Sequence, residues 1–258
     1  LPLHPPDPEP ERILLFGPPG SGKTTAWLDV AKWTARTKAP GRFFVLDTDF
    51  AVGRMLSSYR EAQHIIDLHT GFDWADYESF KKTVMTQAGP NDWVVVDFIG
   101  SAWQAIQDHF VAEVHHQDIG SFFLQARKEM TGKGLAALEG WVDYRVINAM
   151  YFQWLNPILF KGRWNIFATA KTDQLSSDKK PTEDSQTRSL LLPFGVKPKA
   201  QKDILYGFHT TILTGRDPRS GARTLTAIKD RERSETRGQV VNSFTLDYLK
   251  GVAGWEMT

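Results

Sequence analysis

Short, wholly apolar runs alternate with helix-length segments along the first hundred residues. Arg12-Ile13-Leu14-Leu15-Phe16 predicts a strand, stopped by Gly17-Pro18-Pro19-Gly20, and a helix follows from about Thr24 to Arg36. Further apolar runs at 42–46, 64–68 and 93–96 predict three more strands, two of them ending in acids: Asp47-Thr48-Asp49 after the second and Asp97 after the fourth. Strands that are apolar throughout cannot keep one face in water. They predict a mostly parallel sheet buried on both faces by helices, an α/β domain.

Residues 101–160 break this alternation. They hold no strand run, and Trp141, Tyr144, Ile147, Asn148, Tyr151 and Leu155 recur at helical spacing. Helices packed on the sheet are the expectation, with base stacking by the aromatics as the alternative. A strand is predicted at 165–170. The polar stretch 172–202 that follows, with Ser176-Ser177-Asp178-Lys179-Lys180-Pro181, predicts a mobile loop, disordered or functional. Alternating segments at 204–214 and 223–229 flank Gly215-Arg216-Asp217-Pro218-Arg219-Ser220-Gly221 and predict an antiparallel hairpin. The expected organisation is a Pro-rich arm over 1–10, then one domain over 11–258 containing the helical segment 101–160 and the loop 172–202.

A hydrophobic content of 41% with 24% charged residues over 258 positions suits such a domain and excludes disordered or collagen-like classes. No run approaches the roughly 18 apolar residues of a membrane span, so no membrane role is expected. The opening Leu1-Pro2-Leu3-His4-Pro5-Pro6 lacks the features of a signal peptide. The absence of cysteine removes disulfide and thiolate chemistry and fits a reducing cytoplasm, and seven scattered histidines offer no zinc spacing. The net charge of +1 conceals an asymmetry: residues 1–160 carry 14 Lys+Arg against 19 Asp+Glu, and residues 161–258 carry 17 against 11. A polyanionic partner for the basic part is one explanation, a dipolar solvated surface the other.

Candidate chemistry concentrates in Gly17-Pro18-Pro19-Gly20-Ser21-Gly22-Lys23-Thr24-Thr25. This satisfies G-x-x-x-x-G-K-[ST] between a strand and a helix, the context a P-loop requires. Its glycines let backbone N–H groups curl around phosphates, and the helix N-terminus adds positive potential. Lys23 is expected on the β- and γ-phosphates of ATP and the Thr24 hydroxyl on Mg²⁺. Hydrolysis needs more. Asp97 ends its strand where a Walker B aspartate supports the metal, with a strand-end cap as the alternative. Phe98 follows it rather than Glu, which disfavours motors that place a catalytic glutamate there. The water-activating base must then lie elsewhere: Asp49 is the first candidate, Asp47 the reserve, and a helix cap the alternative for either.

The order of these features resembles the RecA-like ATPases, particularly short phage-encoded RecA-like paralogues that work with single-strand annealing proteins, and also DnaB-type helicase cores. The resemblance covers about residues 11–235. It implies that Asp49 stands where the family has its catalytic Glu, one methylene shorter. It implies that Thr169 or Lys171, at the end of Phe167-Ala168-Thr169-Ala170-Lys171, senses the γ-phosphate where the family usually has Gln or His. Ile228-Lys229-Asp230-Arg231 resembles the Lys-x-Arg or Lys-x-Lys element inserted into a neighbour's ATP site, so Lys229 and Arg231 would act in trans; an exposed basic turn is the alternative. The basic loop residues Lys179, Lys180, Arg188, Lys197, Lys199 and Lys202 occupy the place of the family's DNA loop, where such side chains follow a phosphate backbone, unless the loop is a solvated linker.

The expectation is therefore a Mg²⁺-dependent ATPase whose turnover DNA would stimulate. It would assemble as a ring or filament on single-stranded DNA in recombination, repair or replication, in a bacterial host's cytoplasm if phage-encoded. A single-strand annealing or replication protein is the expected partner. The rivals are a translocating motor (helicase or packaging ATPase), a P-loop small-molecule kinase with 172–202 as its lid, and a scaffold that binds nucleotide without turnover.

Overall fold

The computed structural model describes residues 10–129, 140–175, 184–231 and 240–241. Nine strands form one sheet. The first five are parallel and carry most of the site: β1 (Arg12–Gly17), β2 (Phe43–Asp47), β3 (Ile66–Thr70), β4 (Trp93–Asp97) and β5 (Asn165–Gln174). After them come β6 (Val196–Lys199), β7 (Thr210–Arg216), β8 (Arg223–Asp230) and β9 (Val240–Val241). The order is β3-β2-β4-β5-β1-β7-β8-β9, with β6 pairing antiparallel to the end of β5. β7 runs parallel to β1, and β8 returns antiparallel to β7 as the terminal hairpin.

Alternate residues of each central strand feed two separate cores, which is why the runs are apolar without a break. Leu14, Phe16, Phe44, Leu46, Val94 and Val96 pack against α3 (Trp74–Gln87), α4 (Ile99–His115) and α6 (Gly140–Phe160). Ile13, Leu15, Phe43, Val45, Trp93 and Val95 face α1 (Lys23–Thr37). The aromatic stripe of α6 turns inward: Ile147, Tyr151 and Leu155 are buried, Trp154 donates its indole N–H to the Tyr77 carbonyl, and Asn148 is half-buried, while Tyr144 stays exposed. That is the core reading of the stripe, not base stacking. The segment 101–160 also contains α5 (Ile119–Glu129), and no described helix is long and apolar enough to cross a membrane.

Three boundaries differ from the sequence expectation. The third strand starts at Ile66, because 60–65 form a 3-10 turn against α1, and the hairpin's first strand starts at Thr210, because 204–207 form another. The expected mobile loop 172–202 is regular over much of its described length. β5 runs on to Gln174, α7 (Ser185–Leu191) is capped by Asp184, and β6 pairs Lys199 with Lys171 and Lys197 with Asp173. Polarity misled there, since a short two-stranded ribbon at the sheet's rim leaves all but one of its side chains exposed or half-buried and needs no apolar run.

Candidate functional site

The C-terminal ends of the parallel strands converge on the turn after β1. Register sets the placement: Asp47 is level with Asp97, Val96 with Ala168, and Lys171 with Gly17. Asp47, Asp97 and Thr169 thus form one buried polar row under the P-loop, and Lys171 stands one layer above it.

The loop itself is built for close backbone approach. Gly20 and Gly22 have φ of 72° and 95°, in the left-handed region that favours glycine. A Cβ on Gly17 would meet Thr214 Oγ1 at 2.1 Å. Ser21 Oγ lies 2.6 Å from Thr214 Oγ1 and donates to the Pro18 carbonyl, so β7 is fastened to the loop from the side. Lys23 folds back to donate to the carbonyls of Gly17 and Pro18, both at 2.9 Å. Burial lowers its ammonium below the ordinary lysine value, and the Asp97 and Asp49 carboxylates partly offset this. Phe98 supports two cations, with Lys23 Nζ 5.4 Å and Lys171 Nζ 5.1 Å from its ring centre.

Asp97 is fully buried. It accepts hydrogen bonds from Trp27 Nε1 at 3.1 Å, from the Thr169 hydroxyl and from Thr24. Burial raises its pKa, and the three donors pull it down. The two acids after β2 separate cleanly. Asp47 is buried and accepts the N–H groups of Asp49, Ala51 and Val52, capping the short helix α2 (Val52–Met55). Burial first, then the Asp49 and Asp97 carboxylates, raise it to about 6, against the pull of the Val52 N–H. Asp49 is exposed and lines a cavity of about 510 Å³ together with Pro19, Gly20, Lys23, Thr24 and Thr25.

This arrangement suits a magnesium nucleotide. Among the described residues no cluster of three His, Cys, Asp or Glu would hold a metal by protein ligands alone. Mg²⁺ in a P-loop does not need one, since phosphate oxygens and water fill most of its sphere. A Thr24 hydroxyl hydrogen-bonded to a buried carboxylate is the donor set that such an ion takes.

Other expected residues fall elsewhere. Lys229 pairs with Thr211, which is level with Leu14, three residues short of the P-loop's first glycine. Within one chain, Lys229 and Arg231 therefore sit toward the opposite end of the sheet from the cavity. Lys229 Nζ donates to the carbonyls of Leu205 and Phe208 at 2.5 and 2.6 Å, and burial with the nearby Arg231 charge lowers its pKa to about 8. Arg231 is exposed, with one bond to the Tyr206 carbonyl at 3.3 Å. Lys197 and Lys199 lie on β6 and Arg188 on α7, while Lys179 and Lys180 fall outside the described residues. Sequence reasoning did not single out Trp27, Met55, Arg216 or Arg223. The last three line the cavity. The signal for the arginines was the hairpin itself, since a strand laid beside β1 must end beside the P-loop.

Strand order, P-loop position and the acid at the end of β4 together define a RecA-like P-loop fold, a mostly parallel sheet between helices with a C-terminal antiparallel hairpin. Among solved structures it is similar to the RadB recombinase, with a TM-score of 0.52 and 17% identity over 90% of this chain and 86% of that one. A KaiC-like protein from the hyperthermophilic archaeon Pyrococcus horikoshii OT3 matches with a TM-score of 0.49 and 16% identity, over 91% of this chain and 84% of its own. No family model and no curated protein matches the sequence.

Proposed function

We propose that this protein is a Mg²⁺-dependent ATPase of the RecA-like type, acting on single-stranded DNA in recombination, repair or replication. The observation that carries the reading is the bonded set Thr24–Asp97–Thr169 beneath a glycine-shaped loop whose lysine is buried beside it. Lys23 would neutralise the β- and γ-phosphates, and Thr24 would hold the metal with Asp97 behind it. The metal, when bound, would supply neutralisation of the triphosphate's negative charge. Asp49 would polarise water, a role supported by its exposure in the cavity, whereas the Asp47 carboxylate is committed to backbone amides. Lys171, on β5 and lining the cavity, would be the group that meets a γ-phosphate, because the Thr169 hydroxyl is committed to Asp97.

Arg231 supports an ATP site completed between copies in a ring or filament, since it is exposed and far from its own P-loop. Lys229 would have to leave two carbonyls to join it. Lys197 and Lys199, on the ribbon that continues β5, support a phosphate-backbone contact coupled to the nucleotide, with Arg188 on the neighbouring helix. The similarity to a recombinase fold fits this reading, as does the Lys229-Asp230-Arg231 run at and just past the end of β8, which resembles the Lys-x-Arg element of RecA and the DnaB-type helicases. A single-strand annealing or replication protein is the corresponding partner.

The test is ATPase rate with and without single-stranded DNA for wild type, Lys23→Ala and Arg231→Ala. Wild type should be stimulated by DNA and both variants inactive, with activity partly restored when the two variants are mixed. No DNA stimulation would remove the recombinase reading, and full turnover by Arg231→Ala would remove the shared site. Directional strand displacement would indicate a motor instead, and phosphate delivered to a small acceptor a kinase.

A further inference from the structure

We infer that the tip of the terminal hairpin is an intrachain clamp, in which Arg216 and Arg223 grip the nucleotide's polyphosphate from the side of the P-loop opposite to the acids. This rests on the nucleotide reading above but on no assembly of copies. Arg216 ends β7 and Arg223 begins β8, and the two are direct cross-strand partners. Like charges placed directly opposite each other in an antiparallel pair repel and destabilise the hairpin. No ion pair relieves this: neither arginine forms one among the described residues. Asp29, the acid whose field Arg223 feels, is hydrogen-bonded to Tyr59. Two unpaired guanidinium groups held side by side are a site for an anion that bridges them.

The pair is aimed at the loop. Arg216 Nε donates to the Gly20 carbonyl at 2.9 Å, and its Nη1 has only a long 3.4 Å bond to Gly221. Arg223 lies against Gly22 so closely that a Cβ there would meet its Cδ at 2.8 Å. Both line the same cavity as Lys23, Thr24 and Thr25. The tip is held in shape: Asp217 accepts the N–H groups of Arg219 and Ser220, and its own N–H bonds the Ala222 carbonyl at 2.8 Å.

Topology says which phosphates are reached. β5, β4 and β2, with Lys171, Asp97 and Asp49, lie on one side of β1, and the hairpin lies on the other. The terminal phosphate belongs beside the metal and the acids, so the arginines meet the phosphates nearer the nucleoside, which ATP and ADP share. A clamp of this kind works within one chain.

The experiment is calorimetric titration of ATP and of ADP into wild type, Lys23→Ala, the double variant Arg216→Gln/Arg223→Gln, and Arg216→Lys/Arg223→Lys. Gln keeps a donor for the Gly20 carbonyl and removes the charge, whereas Lys keeps the charge. The Gln pair should weaken ATP and ADP alike by about tenfold or more, and the Lys pair by less. Melting without nucleotide separates binding from folding: with the repulsion gone, the Gln pair should melt no lower than wild type. The clamp is overturned if the Gln pair binds both nucleotides within about twofold of wild type, if it loses ATP affinity alone, or if its lost affinity is accompanied by a lower melting temperature of the free protein. A wild type that binds neither nucleotide overturns the nucleotide reading itself and the clamp with it.

Discussion

Replacing Thr169 by Val removes one donor from Asp97 and alters little else. Both residues are fully buried, and Val has nearly the shape of Thr. Hydrogen bonds to charged groups contribute about 1.5–3 kcal/mol. The Trp27 and Thr24 donors remain and can close on the carboxylate, so a loss near the lower end, about 1.5 kcal/mol, is expected. The loss should depend on pH in a definite direction. Asp97 has a folded pKa raised by burial, so its contribution to stability is fullest below the ordinary carboxylate value and is lost as pH rises through the folded value. The Thr169 hydroxyl favours the charged form and limits that loss. Without it the pKa rises further, and the deficit grows with pH. Urea unfolding with chelator present, at about pH 5 and about pH 8, should show the larger deficit at the higher pH. Equal deficits at both, or a loss under about 0.5 kcal/mol at the higher pH, would refute the claim that this hydroxyl stabilises a charged Asp97.

Gly22→Ala should abolish detectable nucleotide binding while circular dichroism stays native, because a Cβ at φ 95° is strained and collides with Arg223. Gly100→Ala places a Cβ 2.2 Å from the Lys199 carbonyl oxygen, backbone against backbone, and should cost more than about 1 kcal/mol in denaturant unfolding. Lys229→Met should cost about 1–3 kcal/mol at alkaline pH, above the unfolded lysine value, and less near neutrality, by leaving the Leu205 and Phe208 carbonyls without their donor. Lys229 is depressed from 10.5 to about 8, so its contribution is present above the unfolded value and lost as pH falls through the folded one; melting temperature against pH should rise across that interval in wild type and flatten in the variant.

Much of the nucleotide site could be read from the chain alone, because its parts are local. A motif of nine residues that closes an apolar run and opens a helix needs only its own glycines, lysine and threonine to be recognised, and an acid ending a wholly apolar strand must lie at one rim of a parallel sheet. Asp47 and Asp49 resisted the same reasoning. Two carboxylates two residues apart at a strand end have the same local chemistry, and only the path of the backbone into α2 turns one toward three amides and leaves the other in the cavity. The arginines were hidden for a different reason. Some 200 positions separate Gly20 from Arg216 along the chain, and what brings them to 2.9 Å is the pairing of β1 with β7. Composition and periodicity establish which segments are strands. Which strand lies beside which, and so which charges share a cavity, follows from long-range packing of two cores, a property of the folded chain that no local pattern carries.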